Sequence, residues 1–364
     1  MSLAAQKIVF TVTNDLSYDR RMHRICNTLS EAGAHVTLVG RRLKSSEPLE
    51  QYSFNTKRLN CLFTKGKFFY LEYNLRLLIY LLFAQYTIVC AIDLDTLLPA
   101  TIASKLRNKL LGYDAHEYFT EVPEVVNRRA IKAIWSWIAQ KCIPSTHFRY
   151  TVGTKLAQEL QKQYGRPFEV IRNLPQLTQL EEGNSASPFI LYQGALNEGR
   201  GLETLIKVAP KLPVPVKIAG EGDLSQELRQ LAQKVGAQKQ VEFLGFVKPE
   251  NLSQLTARAF IGYNLLENKG KSYYFSLANK YFDYSMAAVP CLVSPFPEYL
   301  LLQEKYGHSI VCNLNEKDIL EAVNKLNNNR AHYNLLKDNC IKFRADLNWE
   351  NEARHLITIY EQVI

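Results

Sequence analysis

Short runs of β-branched and apolar residues alternate with longer amphipathic segments from one end of this 364-residue chain to the other. In the first half the runs are "KIVFTVT" (7–13), "HVTLVG" (35–40), "YTIVCAI" (86–92), "KLLGYD" (109–114) and "FRYTV" (148–152). In the second half they are "FILYQG" (189–194), "VPVKIAG" (214–220), "QVEFLG" (240–245), "AFIGYNL" (259–265) and "PCLVS" (290–294). Helical patterns fill the gaps, among them "DRRMHRICNTLSEAG", which closes on Gly33 as a C-cap. Strands alternating with helices build parallel sheets covered on both faces. Between the halves, "NLPQLTQLEEGNSASP" (173–188) is polar, aperiodic and rich in turn formers, as a linker is. The expected architecture is therefore α/β, with two similar domains around a cleft. The expected bounds are a first domain over 1–172, a linker over 173–188 and a second domain over 189–342. A helix over 343–364 is expected to pack back on the first domain.

Composition narrows what such a chain does. Apolar residues make up 47% and charged residues 22%, the proportions of an ordered globular protein. The seven cysteines are scattered and never spaced Cys-x-x-Cys, which fits reduced thiols in a cytoplasm rather than a disulfide framework or a zinc site. No signal-peptide pattern opens the chain. The apolar stretch 70–92 is interrupted by Glu72, Arg76 and Gln85, so it reads as a helix running into a buried strand, not as a membrane span. Residues 1–180 hold 24 Lys/Arg against 14 Asp/Glu, while residues 181–364 hold 20 against 21. All of the excess positive charge thus lies in the first half, which points to an anionic partner such as a membrane surface, or to a solvated basic face. No nucleic-acid-binding motif accompanies it.

The chemistry-bearing residues fall at the ends of the predicted strands, where open α/β sheets bind ligands. After the first strand, "VTNDLSYDRR" has no glycine, which argues against a G-x-G-x-x-G dinucleotide site. Asn14 and Asp15 sit there instead, either facing a ligand or, through Asp15 or Ser17, capping the next helix. Asp93 and Asp95 form an Asp-x-Asp pair, a short pattern that clamps a divalent cation in some enzymes and caps helices in others. Asp114, His116 and Glu117 cluster in "YDAHEYFTEVPE", where a histidine either bonds a substrate hydroxyl or phosphate or is tied to backbone.

In the second half, "YQGALNEGRGLETLI" places Gly194 at a strand end and Arg200 between two glycines before a helix. Helix N-termini attract anions, and arginine adds a planar cationic fork. The G-x-x-x-x-G-K-[ST] spacing of a Walker loop is missing. "IAGEGD" and "LGFV" add glycines at two more strand ends. "SLANKYFDYSMAAVP" (276–290) reads as a helix beginning near Ser276, with Lys280 and Asp283 three residues apart on one face. That pair is either a surface ion pair or a lysine for a phosphate beside a carboxylate for ribose hydroxyls.

Taken together and in order, "YDAHEYFTEVPE", "YQGALNEGRGLETLI", "IAGEGD", "VEFLGFV" and "NKYFDYSMAAVP" resemble the group-one, family-four retaining glycosyltransferases over nearly the whole length. The resemblance implies the GT-B fold, two Rossmann-like domains facing across a cleft. It implies a nucleotide-sugar donor on the second domain and a saccharide or lipid-linked acceptor on the first. Transfer would retain configuration, need no metal and no cofactor, and serve cell-surface polysaccharide or glycolipid synthesis at the inner membrane face. The resemblance makes His116, Arg200 and Lys280 the expected catalytic set. Asn14, Gly194, Ala195, Glu221, Gly222, Phe246, Val247, Ser276, Leu277, Asn279 and Asp283 are the donor-binding set. Asp15, Asp19, Arg20 and Glu117 are the acceptor-side set.

Three positions depart from the family pattern. Asp283 matches the second glutamate of E-x7-E, but Phe275 stands where the first would be. Ala195 replaces a phosphate-binding arginine. Ala288 replaces a glycine two residues before Pro290, which reads as a packing difference. A nucleotide-sugar epimerase of the same architecture, or a donor-binding protein with a degraded site, are the rival readings.

Overall fold

The computed structural model describes residues 3–17, 19–180 and 187–364. The chain forms two compact units, Met1–Asn173 with Glu352–Ile364, and Leu174–Asn351.

Among the described residues the first unit holds seven parallel strands: β1 (Lys7–Thr11), β2 (His35–Arg42), β3 (Asn55–Asn60), β4 (Ile88–Ile92), β5 (Leu110–Ala115), β6 (Phe148–Thr151) and β7 (Glu169–Val170). Their order across the sheet is β3-β2-β1-β4-β5-β6-β7. Every residue of β4 and β6 is buried, as expected of inner strands with helices on both faces. The helices are α1 (Arg20–Glu31), α2 (Gly66–Phe83), α3 (Leu94–Arg107), α4 (Pro123–Val126), α5 (Arg129–Cys142) and α6 (Thr154–Tyr164). Helix α1 ends at Glu31, and Gly33 follows its cap at φ +99°, a conformation that favours glycine. The apolar stretch 70–92 is the body of α2 followed by β4. No helix among the described residues is long and apolar enough to cross a membrane.

The second unit carries β8 (Ile190–Gln193), β9 (Val216–Ala219), β10 (Val241–Gly245), β11 (Ile261–Asn264), β12 (Cys291–Val293) and β13 (Ile310–Val311), parallel and ordered β10-β9-β8-β11-β12-β13. Its helices are α7 (Leu202–Val208), α8 (Ser225–Lys234), α9 (Pro249–Ala257), α10 (Lys271–Tyr274), α11 (Asn279–Met286), α12 (Pro297–Tyr306), α13 (Glu316–Asn328) and α14 (Arg330–Asp346). One core cluster is built around Ile190, Ile206, Val216 and Tyr263, another around Leu191, Tyr284, Val293 and Phe343. In each sheet the strand order reverses beside the first strand, at β1/β4 and at β8/β11, which is where parallel α/β sheets take ligands.

Three strands escape the sequence reading. β3 is polar, "NTKRLN", and lies at the sheet edge, while β7 and β13 are two-residue edge strands. Edge strands bury too little to need an apolar run. Of the expected linker, Leu174 is buried in the second unit's core, and residues 181–186 lie outside the described residues. Residues 343–346 belong to α14, so the last helix, α15 (Trp349–Gln362), starts later than expected. From Glu352 onward α15 is part of the first unit, where Tyr360 packs on Phe10 and Phe148.

Candidate functional site

In the second unit, three strand ends converge on glycines. Gly194 follows β8 at φ +126° and Gly220 follows β9 at φ +148°. A Cβ on Gly220 would stand 1.9 Å from the Gly194 carbonyl oxygen, so only glycine lets these two turns meet. The Gly220 amide donates to Gly245 O at 2.7 Å, and the Gly194 amide to Ala219 O at 2.9 Å. Gly222 is also closely packed, its would-be Cβ 2.6 Å from the Leu196 amide nitrogen.

Onto this edge α11 brings Lys280 and Asp283. The Lys280 Nζ lies 3.6 Å from the centroid of the Tyr192 ring, and Tyr192 donates its hydroxyl to Ala195 O at 2.6 Å. Burial, with Arg200 as a second cation nearby, pulls the ammonium well below the ordinary lysine range, against the pull of Asp283. Arg200 is held between Gly199 (φ +82°) and Gly201 (φ +64°), its guanidinium 5.6 Å over the Tyr273 ring. Asp283 is oriented from below. Gln193 Nε2 donates to Asp283 Oδ2 at 3.1 Å, and Gln193 Oε1 accepts from Thr256 at 2.7 Å. The sequence reading missed Gln193 and Tyr192. Their signal is a polar residue and a hydroxyl at the end of an otherwise buried run, "FILYQG", each of which needs a partner.

Other predicted residues sit at the rim. Glu221 is exposed and pairs with Arg229 at 2.9 Å. Phe246 is 77% exposed, whereas Val247 packs on the core. The helix does not begin near Ser276. The Ser276 hydroxyl donates to Tyr273 O at 2.7 Å, finishing α10, and α11 starts at Asn279 with Ala278 at its cap. Leu277 is buried and Asn279 exposed. Ala288 has φ +55°, so the departure from glycine there is conformational, not a matter of packing.

The first unit gathers a second polar group at the ends of β4 and β5. Asp114, fully buried, takes a two-pronged ion pair from Arg21, with Nη2 at 3.0 Å from Oδ1, and accepts from His116 Nε2 at 3.0 Å. Burial pushes the Asp114 carboxyl up, but Arg21 and His116 outweigh it and hold it below the usual range. His116 moves the other way: burial disfavours its charge, and Asp114 more than restores it. Asp93, at φ +55°, accepts from the His116 amide at 2.9 Å, and burial raises its carboxyl well above the usual range. Asp95 is bonded by Thr13 at 2.5 Å, and burial lifts it to about 6. The two aspartates of Asp93-Leu94-Asp95 thus serve separate partners.

Around this group, Asp19, not Asp15 or Ser17, caps α1, accepting from the Met22 amide at 3.0 Å. Asn14 Nδ2 donates to Asp19 Oδ2 at 2.6 Å. Asp15 is committed to Arg58 and Ser46, both at 2.9 Å. Arg20 and Glu117 are exposed. Arg21, unremarked in the sequence beside Arg20, is the buried one of the two. Its position four residues before Ile25 puts it on the apolar face of α1, which is the signal that picks it out.

Comparison with known proteins bears on the family and the fold. The family model "Glycosyl transferases group 1" matches residues 178–262. An uncharacterized glycosyltransferase of Methanocaldococcus jannaschii is 37% identical over 70 residues, which is 18% of either chain. Among solved structures, sucrose-phosphate synthase from Thermosynechococcus elongatus superposes with a TM-score of 0.79 at 15% identity, covering 98% of this chain and 99% of that one. Anabaena Alr3699/HepE in complex with UDP gives 0.78 at 14% identity, over 98% and 100%. WaaG, a glycosyltransferase involved in lipopolysaccharide biosynthesis, gives 0.72 at 15% identity, over 97% and 99%. The resemblance to the group 1 glycosyltransferases and the GT-B fold are both borne out.

Proposed function

We propose that this chain is a retaining, metal-independent glycosyltransferase that takes a nucleoside-diphosphate sugar on its second unit and a saccharide or lipid-linked acceptor on its first. The reading is carried by the convergence of two cations, Lys280 and Arg200, on the glycine edge of β8, beside a carboxylate held in place by Gln193. Two like charges brought together at a partly buried edge ask for an anion between them. A diphosphate meets that need, and Asp283 accepts hydrogen bonds from ribose hydroxyls. The sequence match at 178–262 covers part of this unit, and Alr3699/HepE was also solved with UDP-glucose, so the uridine series is the first donor to try.

In the transfer, the bond between the anomeric carbon and the diphosphate oxygen breaks, and one forms to the acceptor oxygen on the same face of the sugar. The acceptor proton passes to the departing phosphate. Lys280 and Arg200 stabilise the charge that grows on that phosphate, and because they stand against the Tyr192 and Tyr273 rings, little reorganisation is needed. His116, its ring bonded to Asp114 and its backbone amide to Asp93, is assigned to a substrate hydroxyl. Phe275 takes the place of a carboxylate for sugar hydroxyls, so sugar recognition falls to other groups.

Calorimetric titration with UDP, GDP, ADP and CMP, and with their sugars, tests the reading. One nucleotide series should bind, and Asp283→Ala and Arg200→Ala should each weaken it at least tenfold. Hydrolysis or transfer should follow once an acceptor is supplied. Binding without turnover would favour the degraded donor-binding reading that Phe275 suggests, and interconversion of the sugar without acceptor would favour an epimerase. No binding in any series would end the proposal.

A further inference from the structure

Helix α2 is apolar on two opposite faces. Phe69, Tyr73, Leu77 and Leu81 recur every fourth residue and are buried in the first unit. Leu71, Leu75, Ile79 and Phe83 recur every fourth residue two positions out of phase, and are 70, 57, 51 and 83% exposed. Two residues turn an α-helix through about 200°, so the second set points away from the core. Isolated exposed leucines are ordinary on a protein surface, but a continuous outward stripe on a helix already packed on its other side is not.

The chain leading into α2 extends the stripe. Residues 62–68 are all exposed and include Leu62 at 84%, Phe63 and Phe68. This loop is held in place. The Glu72 carboxylate accepts from the Leu62 amide at 2.8 Å and the Phe63 amide at 2.9 Å, and is itself bonded by Arg76 at 2.8 Å. The Phe63 ring lies 5.5 Å from that of Phe68. Two large apolar side chains are therefore pinned outward next to the stripe. Lys65 and Lys67 stand among them, fully in the exposed run.

We infer that the outer face of α2, with the 62–68 loop, is a docking surface for an anionic phospholipid bilayer, on which the helix lies flat in the interface. Charge decides the occupant. Of the five Lys/Arg in residues 55–83, Arg58 pairs with Asp15 and Arg76 with the one acidic residue, Glu72, which leaves Lys57, Lys65 and Lys67 as a cationic set within a half-chain of 24 Lys/Arg against 14 Asp/Glu. A second copy of the chain would set these like charges face to face across the stripe, whereas an anionic bilayer satisfies the lysines and the apolar side chains together. The helix is too short and too interrupted to cross, which leaves the interface as its place. The inference rests on the surface of the first unit alone and stands or falls independently of the donor site.

Vesicle flotation of the full chain tests it, with phosphatidylcholine vesicles against vesicles containing about a third phosphatidylglycerol. The wild type should float with the anionic vesicles and at least tenfold less with the neutral ones. Leu71→Gln/Leu75→Gln/Ile79→Gln and Leu62→Ser/Phe63→Ser should each lower the partition coefficient at least tenfold. Lys65→Glu/Lys67→Glu should do so more strongly at low salt than at high, since each lysine near an anionic surface is worth roughly fivefold. All these side chains are exposed, so melting temperatures should stay within a few degrees of wild type. A wild type that ignores anionic vesicles would overturn the inference, as would variants that float as well as wild type. Sedimentation showing a wild-type dimer that the triple glutamine variant dissociates, without vesicle binding, would hand the face to a second copy instead.

Discussion

Lys280 and Tyr192 form a cation–π pair, the ammonium nitrogen 3.6 Å from the ring centroid, at an edge that also carries Arg200. Desolvation and Arg200 both oppose the charge on Lys280 and outweigh Asp283, so holding the ammonium here costs folding free energy. Ligand-binding sites often hold such destabilising groups, and their removal stabilises the protein while abolishing function. Lys280→Met should therefore raise the unfolding free energy by about 1 kcal/mol while weakening nucleoside-diphosphate binding ~10–100-fold. The sign of the pH effect follows. The unfolded lysine binds its proton more readily than the folded one, so wild-type stability climbs relative to the Met variant as pH rises toward the ordinary lysine value of ~10.4. Denaturant titrations of both proteins between pH 7 and 10 check this, and parallel curves would contradict it.

The Arg21–Asp114 pair is buried and joins α1 to β5. Its carboxyl is held below the ordinary range, so the pair stabilises the fold above ~3.9, and that contribution is lost as pH falls through the lowered folded value. Removing the arginine leaves a buried carboxylate bonded only by His116 among the partners described above. Arg21→Met should lose ~3–5 kcal/mol at pH 7. The pH trend should invert, because an unpaired buried carboxyl rises above its unfolded value and penalises the fold increasingly from ~4 upward. Adding Asp114→Asn should recover part of the loss. Urea melts of the two variants at pH 4 and 7 separate these outcomes.

His308 makes an acid-sensitive spot in the second unit. Its ring stacks on Phe343 at a centroid distance of 4.1 Å, near Tyr281 and Tyr306, and neither ring nitrogen has a hydrogen-bond partner among the described residues. Burial drives its pKa down to about 3. A base with a lowered folded value loses stability as pH falls from its unfolded value, ~6.5, toward the folded one, here by about 5 kcal/mol. His308→Phe should flatten that part of the acid limb. If wild type and variant unfold along the same curve between pH 6 and 3.5, the histidine is not what limits acid stability.

Much of this molecule was legible because burial leaves a mark on composition. β4, "IVCAI", is buried at every residue and reads as a strand at sight, and so do most of the inner strands. β3 was not legible because an edge strand of polar residues has no apolar signature. At the site, Arg200 stood out by type and by its flanking glycines, and Lys280 by its spacing to Asp283. Which of Arg20 and Arg21 turns inward depends on helix phase, readable only after Met22, Ile25 and Leu29 are taken as the buried face. The start of α11 was misread because Ser276 is a good capping residue by type, yet its hydroxyl closes the preceding turn. A cap is a matter of local dihedrals, which residue identity constrains only loosely.

Two small residues, Gly220 and Ala288, make opposite predictions from one principle. Both lie at positive φ, +148° and +55°. At Gly220 a methyl group would stand 1.9 Å from the Gly194 carbonyl oxygen, and that oxygen belongs to the turn that carries the site. Gly220→Ala must either push the β8 and β9 turns apart or abandon the Gly220–Gly245 hydrogen bond of 2.7 Å, so it should cost ~3 kcal/mol or more and weaken nucleotide binding with it. Ala288 already bears the methyl group in the left-handed region, a strain of ~1 kcal/mol that glycine does not suffer. Ala288→Gly relieves it but gives the unfolded chain more freedom and leaves a small void at a buried position. The net expectation is a change within ~1 kcal/mol of zero, with nucleotide affinity untouched. Chemical denaturation of the two variants side by side checks both signs. A tolerated Gly220→Ala would mean that the two turns are not locked together as the carbonyl contact implies.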